Sequence, residues 1–190
     1  MTLNEALAVM WPHLRDEVCV FANGYLSRAG CAMRDRDECF YMIGSMGLAS
    51  SIGLGIALAQ PRRRVLVLDG DGNVLMNAGA LARIATAAPA NLLHVCFDNG
   101  AHASTGAQRT ISDRVRLEEL ARAAGYRWAG RVSGGEALGA AAPGFMRREG
   151  PAFLLVEIAL GPPGPPGPRV PHEPQDMTAR LRRVLTAAGR

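Results

Sequence analysis

Gly70-Asp71-Gly72 and Asp98-Asn99-Gly100 are the two stretches that decide the fold. Each follows a short apolar run, Val65-Leu66-Val67-Leu68 before the first and residues 92–97 before the second. Short apolar runs that end in turn residues predict strands buried on both faces, as in a parallel sheet. Residues 74–88, between them, have the length and composition of one helix. The unit reads strand, turn, helix, strand, turn, and a right-handed crossover carries both turns to the carboxyl edge of one sheet. There the Asp71 carboxylate and the Asn99 amide oxygen converge. With a backbone carbonyl, water and phosphate oxygens they form a donor set suited to a small hard cation such as Mg²⁺. Gly70 and Gly72 let the backbone come close to a phosphate, and the following helix offers free N–H groups to it. Gly-Asp-Gly alone reads equally well as an ordinary strand-to-helix turn. Its pairing with Asn99 one βαβ unit later argues for a site.

The rest of the chain alternates in the same way. Helices are predicted over residues 3–14, 26–33, 48–59, 117–124, 135–148 and 175–188, and strands over 18–22, 40–43, 127–131 and 152–158. A polar, glycine-containing loop runs from Asn99 to Ser112. The pattern predicts an α/β fold: a doubly wound, mostly parallel sheet of five or six strands with helices on both faces. Ligands of such sheets sit beyond the carboxyl ends of the strands, where both turns lie.

At 190 residues and 48% hydrophobic, the chain suits one core. The expected organisation is a cofactor-binding domain over residues 1–160, a Pro/Gly-rich connector over 161–174 and a C-terminal helix over 175–190. Gly161-Pro-Pro-Gly-Pro-Pro-Gly-Pro168 is too short for a triple helix and reads as a stiff polyproline segment. The net charge of +4 comes from scattered arginines, with Arg62-Arg63-Arg64 the only tight run, and aromatics make up only 5%. That excludes a stacking surface for nucleic acid but suits anionic small molecules. Cys19, Cys31, Cys39 and Cys96 lack C-x-x-C spacing, and Cys19 and Cys96 fall within apolar strands. A reduced, cytoplasmic protein without a structural zinc or iron–sulfur site is expected. The charge-free run from Met42 to Ala59 meets the crude length of a membrane span. Its four glycines and three serines favour a strand end, a turn and a core helix, so no membrane association is expected, and residues 1–10 do not read as a signal peptide.

The Gly-Asp-Gly to Asn99 arrangement resembles the metal–diphosphate motif of thiamine-diphosphate enzymes, which begins Gly-Asp-Gly and ends Asn-Asn. Asp98 replaces the first Asn, and the ligand position, Asn99, is kept. The resemblance implies that Asp71 and Asn99 hold Mg²⁺ through side-chain oxygens and that Ala101 adds its carbonyl. Gly44-Ser45-Met46-Gly47 resembles the turn of the same enzymes that meets the aminopyrimidine. It implies a carbonyl contact from Gly44 and an apolar wedge from Met46 beneath the bent cofactor; by itself Met46 reads as core packing. Gly70, Gly72 and Asn73, with Asn23 and Gly24 in the turn after the first strand, complete the implied cofactor contacts.

The run Asp98-Asn99-Gly100-Ala101-His102-Ala103-Ser104-Thr105-Gly106-Ala107-Gln108-Arg109-Thr110 resembles a loop of phosphonopyruvate and sulfopyruvate decarboxylases. It departs at Ala107, where the family has glycine, and at Arg109, where it has proline. Together with Leu75-Met76-Asn77 the similarity covers roughly residues 18–156. It implies decarboxylation of a small anionic 2-oxo acid, with His102, Ser104 and Thr105 as catalytic candidates. Arg28 and Arg109 join them as candidates for the substrate's second anion. The family sets its cofactor between this domain and a pyrimidine-binding one that supplies an activating glutamate. No glutamate here has that context, so a β subunit completed by an α subunit is expected. Architecture favours sulfopyruvate over phosphonopyruvate as substrate. An acetolactate-synthase-like enzyme should lack the His-x-Ser-Thr-Gly loop, and a 2-oxoacid:ferredoxin oxidoreductase chain usually carries cluster cysteines. Intact Asp71 and Asn99 argue against a non-catalytic scaffold subunit.

Overall fold

In the computed structural model, which describes residues 1–161 and 167–187, the apolar runs become strands. They are β1 (Val18–Phe21), β2 (Cys39–Tyr41), β3 (Val65–Gly70), β4 (Leu92–Asp98), the two-residue β5 (Ala101–His102) and β6 (Gln108–Arg109), β7 (Trp128–Ser133) and β8 (Ala152–Glu157). The helices are α1 (Leu3–Met10), α2 (Tyr25–Met33), α3 (Ala49–Ala59), α4 (Asp71–Met76), α5 (Gly79–Ala87), α6 (Leu117–Ala124), α7 (Gly135–Met146) and α8 (Pro174–Ala187). Six strands form one sheet in the order β2-β1-β3-β4-β8-β7, every pair parallel, and β5 and β6 form a small antiparallel hairpin.

The handedness of the crossovers sorts the helices. Connections that step one way along the sheet, through α3, α5 and α6, must lie on one face; those that step back, through α2 and α7, must lie on the other. The packing agrees: α3 meets α5 and α5 meets α6, while α1 meets both α2 and α7. The central strands are covered on both sides, which is why β3 and β4 have continuous apolar runs rather than alternation. The chain winds from β1 outward to β2 and then back past β1 to β3. The switch point therefore lies between the carboxyl ends of β1 and β3, where a crevice must open.

Several boundaries differ from the sequence reading. The helix expected over residues 74–88 is two helices, because Asn77 ends α4 in a non-helical conformation and turns its amide to another segment. The first helix stops at Met10 and tightens into a 3₁₀ turn at Trp11–His13, where Pro12 cannot donate to a continuing α-ladder. β2 ends at Tyr41, leaving Ile43 exposed. The loop after Asn99 is stiffened by the β5–β6 hairpin. Most of the Gly161–Pro168 repeat, residues 162–166, lies outside the described residues, and so do residues 188–190. Among the described residues no helix is long and apolar enough to cross a membrane. The run from Met42 to Ala59 is a turn followed by α3.

Candidate functional site

Three strand ends and the hairpin build the site. β1 leads into Asn23 and Gly24, β3 into Gly70, Asp71 and Gly72, and β4 into Asp98 and Asn99. Asn23, Gly70, Asp71, Gly72, Asn73, Asn99, Ala101, His102, Ser104, Thr105 and Met46 all line one open cleft there. Its volume of about 130 Å³ falls short of the roughly 300–1,000 Å³ of a ligand pocket.

Asp71 opens α4 and is buried. Thr110 Oγ1 donates to its Oδ2, and the backbone N–H groups of Gly72 and Asn99 also reach the carboxylate. Burial is the largest influence and raises its pKa. The Thr110 bond lowers it, and the charge of Asp98 raises it again. Asp98 is itself satisfied by Gly100 N–H at 3.0 Å and Ser112 Oγ at 2.8 Å. Asn99 Oδ1 accepts Ala101 N–H at 3.0 Å, which leaves a second lone pair. A carboxylate whose pKa is raised by burial and, to a lesser extent, by a neighbouring carboxylate, beside an amide oxygen, is a hard-oxygen donor set that a divalent cation would relieve. The residues fit such an ion.

The hairpin closes over the glycines. A Cβ on Gly72 would meet the His102 ring at 2.5 Å from Cε1 and 2.6 Å from Nδ1, so glycine is what lets His102 lie against the turn. Gly24 has φ +88°, and a Cβ there would stand 3.0 Å from Ser104 Oγ. Thr105 directs its hydroxyl back into the hairpin, 3.0 Å from Gln108 Oε1 and 3.2 Å from the His102 carbonyl. Arg109 lies apart from the cleft, paired with Asp113 at 3.2 Å. Arg28 faces a neighbouring cavity that the cleft adjoins. Gly44 is exposed in the turn after β2, while Met46 in the same turn reaches the cleft.

Behind the cleft is a buried network that the sequence reading passes over. Asp69 accepts from Gly70 N–H and Asn73 Nδ2 through Oδ1, while Oδ2 lies 3.1 Å from His94 Nε2. His94 Nδ1 lies 3.2 Å from the Tyr126 hydroxyl, whose pKa burial raises. Asn73 passes the order forward, since its Oδ1 accepts Gly47 N–H, and Asn77 Nδ2 donates to Gly47 O at 2.9 Å. Two amides from the segment after Gly-Asp-Gly therefore hold Gly47, at φ +91°, in the turn that carries Met46. The available signal was His94 and Asp69 standing as polar residues inside apolar strands; the paired register puts them on one face, two positions apart. Thr110 and Ser112 carried no signal of their own.

Residues 24–156 match the family model for the thiamine pyrophosphate enzyme, C-terminal TPP binding domain. The chain belongs to this family. Among curated relatives of this thiamine pyrophosphate enzyme domain, phosphonopyruvate decarboxylase of Streptomyces viridochromogenes is 45% identical over 148 residues, 78% of this chain and 36% of that one. Sulfopyruvate decarboxylase subunit beta of Methanothermobacter thermautotrophicus is 47% identical over 122 residues, 64% of this chain and 65% of that one. The chain thus spans well under half of the first relative's length and less than two thirds of the second's. A solved structure of a thiamin diphosphate-dependent enzyme from Mycobacterium smegmatis shares the fold, with a TM-score of 0.70 at 21% identity over 84% of this chain and 32% of that one.

Proposed function

We propose that this chain is the diphosphate-binding β subunit of a thiamine-diphosphate- and Mg²⁺-dependent decarboxylase. Its substrate is a small 2-oxo acid with a second anionic group: 3-sulfopyruvate, giving sulfoacetaldehyde and CO₂. The observation that carries the reading is the meeting of Asp71, Asn99 and the His102–Thr105 hairpin at one sheet edge, in a chain of this family. Asp71, Asn99 and the Ala101 carbonyl would hold the metal. Gly70, Gly72, Asn73, Asn23 and Gly24 border the diphosphate, and Asn23 Oδ1, buried without a partner among the described residues, has bonding capacity to spare there. Gly44 would offer its carbonyl, and Met46 an apolar contact, to the cofactor's ring end. When bound, the thiazolium accepts the electron pair left by departing CO₂, which a 2-oxo acid cannot delocalise alone. His102 is the acid–base group at the cleft mouth, Ser104 orients substrate beside it, and Thr105, its hydroxyl spent within the hairpin, holds both in place. A partner α subunit supplies the pyrimidine-binding wall and the activating glutamate. The naming of the Methanothermobacter relative as a subunit beta supports that division.

Phosphonopyruvate is the second reading, supported by the comparable 45% identity to the Streptomyces enzyme. The test is CO₂ release from sulfopyruvate, phosphonopyruvate and pyruvate by this chain, by its α partner and by the mixture. Turnover only by the mixture, with an anionic acid preferred, is expected. Full turnover by this chain alone refutes the divided site, and preference for pyruvate refutes the anionic substrate.

A further inference from the structure

A second cavity, of about 520 Å³, lies beside the cofactor cleft and shares Asn23, Tyr25 and Ser104 with it. Its floor is the carboxyl ends of β1 and β2 and the start of α2, with Gly24, Arg28, Met42 and Ile43. Its roof is the segment that leads into α8, with Arg169, Val170, His172, Glu173 and Pro174. The roof lies beyond the residues matched by the family model. We infer that this cavity is the subsite for the substrate's second anion, a sulfonate or phosphonate, with Arg28 and Arg169 as its cationic contacts. The inference rests on the decarboxylase reading and extends it to residues of the C-terminal segment.

The geometry supports it at each step. The cavity adjoins the cleft along a wall that Asn23, Tyr25 and Ser104 line on both sides. Arg28 spends only Nε on protein, at 2.9 Å from the Gly167 carbonyl and 3.2 Å from that of Pro168. Its two terminal nitrogens have no partner among the described residues, and neither does the Arg169 guanidinium. A guanidinium fork matches the paired oxygens of a sulfonate or phosphonate. Glu173 is the one carboxylate lining the cavity, against two arginines. His172 is engaged elsewhere, 2.6 Å from Asp35 Oδ2 and in contact with Arg180, and it pins the roof. Arg180 adds bonds of 2.9 Å to both Asp35 and Asp37, so the roof is anchored at a point away from the ligand. Arg28 is half-buried beneath the roof, which strengthens its contact, while Arg169 is exposed at the roof's rim.

The test uses this chain assembled with its partner. Sulfoacetate and phosphonoacetate, which lack the 2-oxo group, are titrated by calorimetry with acetate as the reference. Both dianions should bind more tightly than acetate, and Arg169→Gln should weaken both by about tenfold or more. Arg169→Lys should keep part of that affinity, and Arg62→Gln, at the opposite sheet edge, should keep all of it. In turnover Arg169→Gln should raise KM for the anionic acid much more than it lowers kcat. Unchanged dianion affinity in Arg169→Gln overturns the subsite, even if the assembled enzyme decarboxylates sulfopyruvate. Dianion binding that depends on Arg169, without decarboxylation of any of the three acids, keeps the subsite and removes the decarboxylase reading.

Discussion

Replacing Asn73 by alanine tests the buried network where it meets the site. The side chain makes two bonds at once: Nδ2 donates to the buried Asp69 carboxylate, and Oδ1 accepts the N–H of buried Gly47. A bond to a charged group is worth roughly 1.5–3 kcal/mol, and a buried N–H left without a partner costs about 1–3 kcal/mol. Asp69 still keeps Gly70 N–H and His94, which limits the loss on that side. A net destabilisation of about 2–4 kcal/mol is expected, or a Tm lower by on the order of 5–15 °C for a chain of this size. The paired control is Asn77→Ala. It removes a bond from half-buried Asn77 to the other side of Gly47 and should cost only about 1 kcal/mol. Urea unfolding of each variant, with calorimetric titration of thiamine diphosphate into the assembled protein, reads both stability and site order. A loss in Asn73→Ala under about 1 kcal/mol, or no larger than in Asn77→Ala, would refute the network as an organiser of the turn.

Asp71→Ala should abolish Mg²⁺-dependent cofactor binding while the fold survives, and Asn99→Ala should weaken it in the same direction, both by calorimetry; unchanged affinity in Asp71→Ala removes the metal assignment. His94→Phe keeps the ring volume against Phe153 but leaves Asp69 Oδ2 and the Tyr126 hydroxyl unpaired, so stability should fall by about 2 kcal/mol or more, as measured by urea unfolding. Burial alone would raise the Asp35 pKa, but bonds from Arg180 and His172 outweigh it and hold the carboxyl below its usual range. A depressed carboxyl contributes stability that is present above its unfolded pKa of about 3.9 and is lost as pH falls through the folded value. Proteolysis within residues 167–187 should therefore accelerate at acid pH before the sheet unfolds, and Arg180→Ala should produce the same susceptibility at neutral pH.

What was legible in the sequence followed from periodicity and connection rules. Continuous apolar runs marked β3 and β4, and one βαβ spacing was enough to bring Asp71 beside Asn99 at the same sheet edge. The features that escaped depend on tertiary context. Asn77 inside an apparently continuous helix gives no local sign that its amide is needed by Gly47, thirty residues away. Thr110 reads as a loop residue until the hairpin folds it onto Asp71. His94 and Asp69 look like flaws in apolar strands until the register sets them on one face, two positions apart. The C-terminal segment was least legible of all, because strand-order rules do not say where a tail returns. Its return past Asn23 and Ile43 is decided by Arg28, Arg180 and the two aspartates before β2.

Asn73 and Asn77 stand one helical turn apart on the segment that begins with Asp71, and both grip the same glycine of the turn after β2. On the proposed assignment that segment touches the cofactor's diphosphate end and that turn touches its ring end. The two supports therefore behave like the jaws of a calliper locked by a single screw: the span between them is set before any ligand arrives. A ligand with a longer or shorter spacer between diphosphate and ring cannot be accommodated by letting one jaw slide. It has to break the lock at Gly47 first, so discrimination among cofactor analogues should follow their length more closely than their ring chemistry.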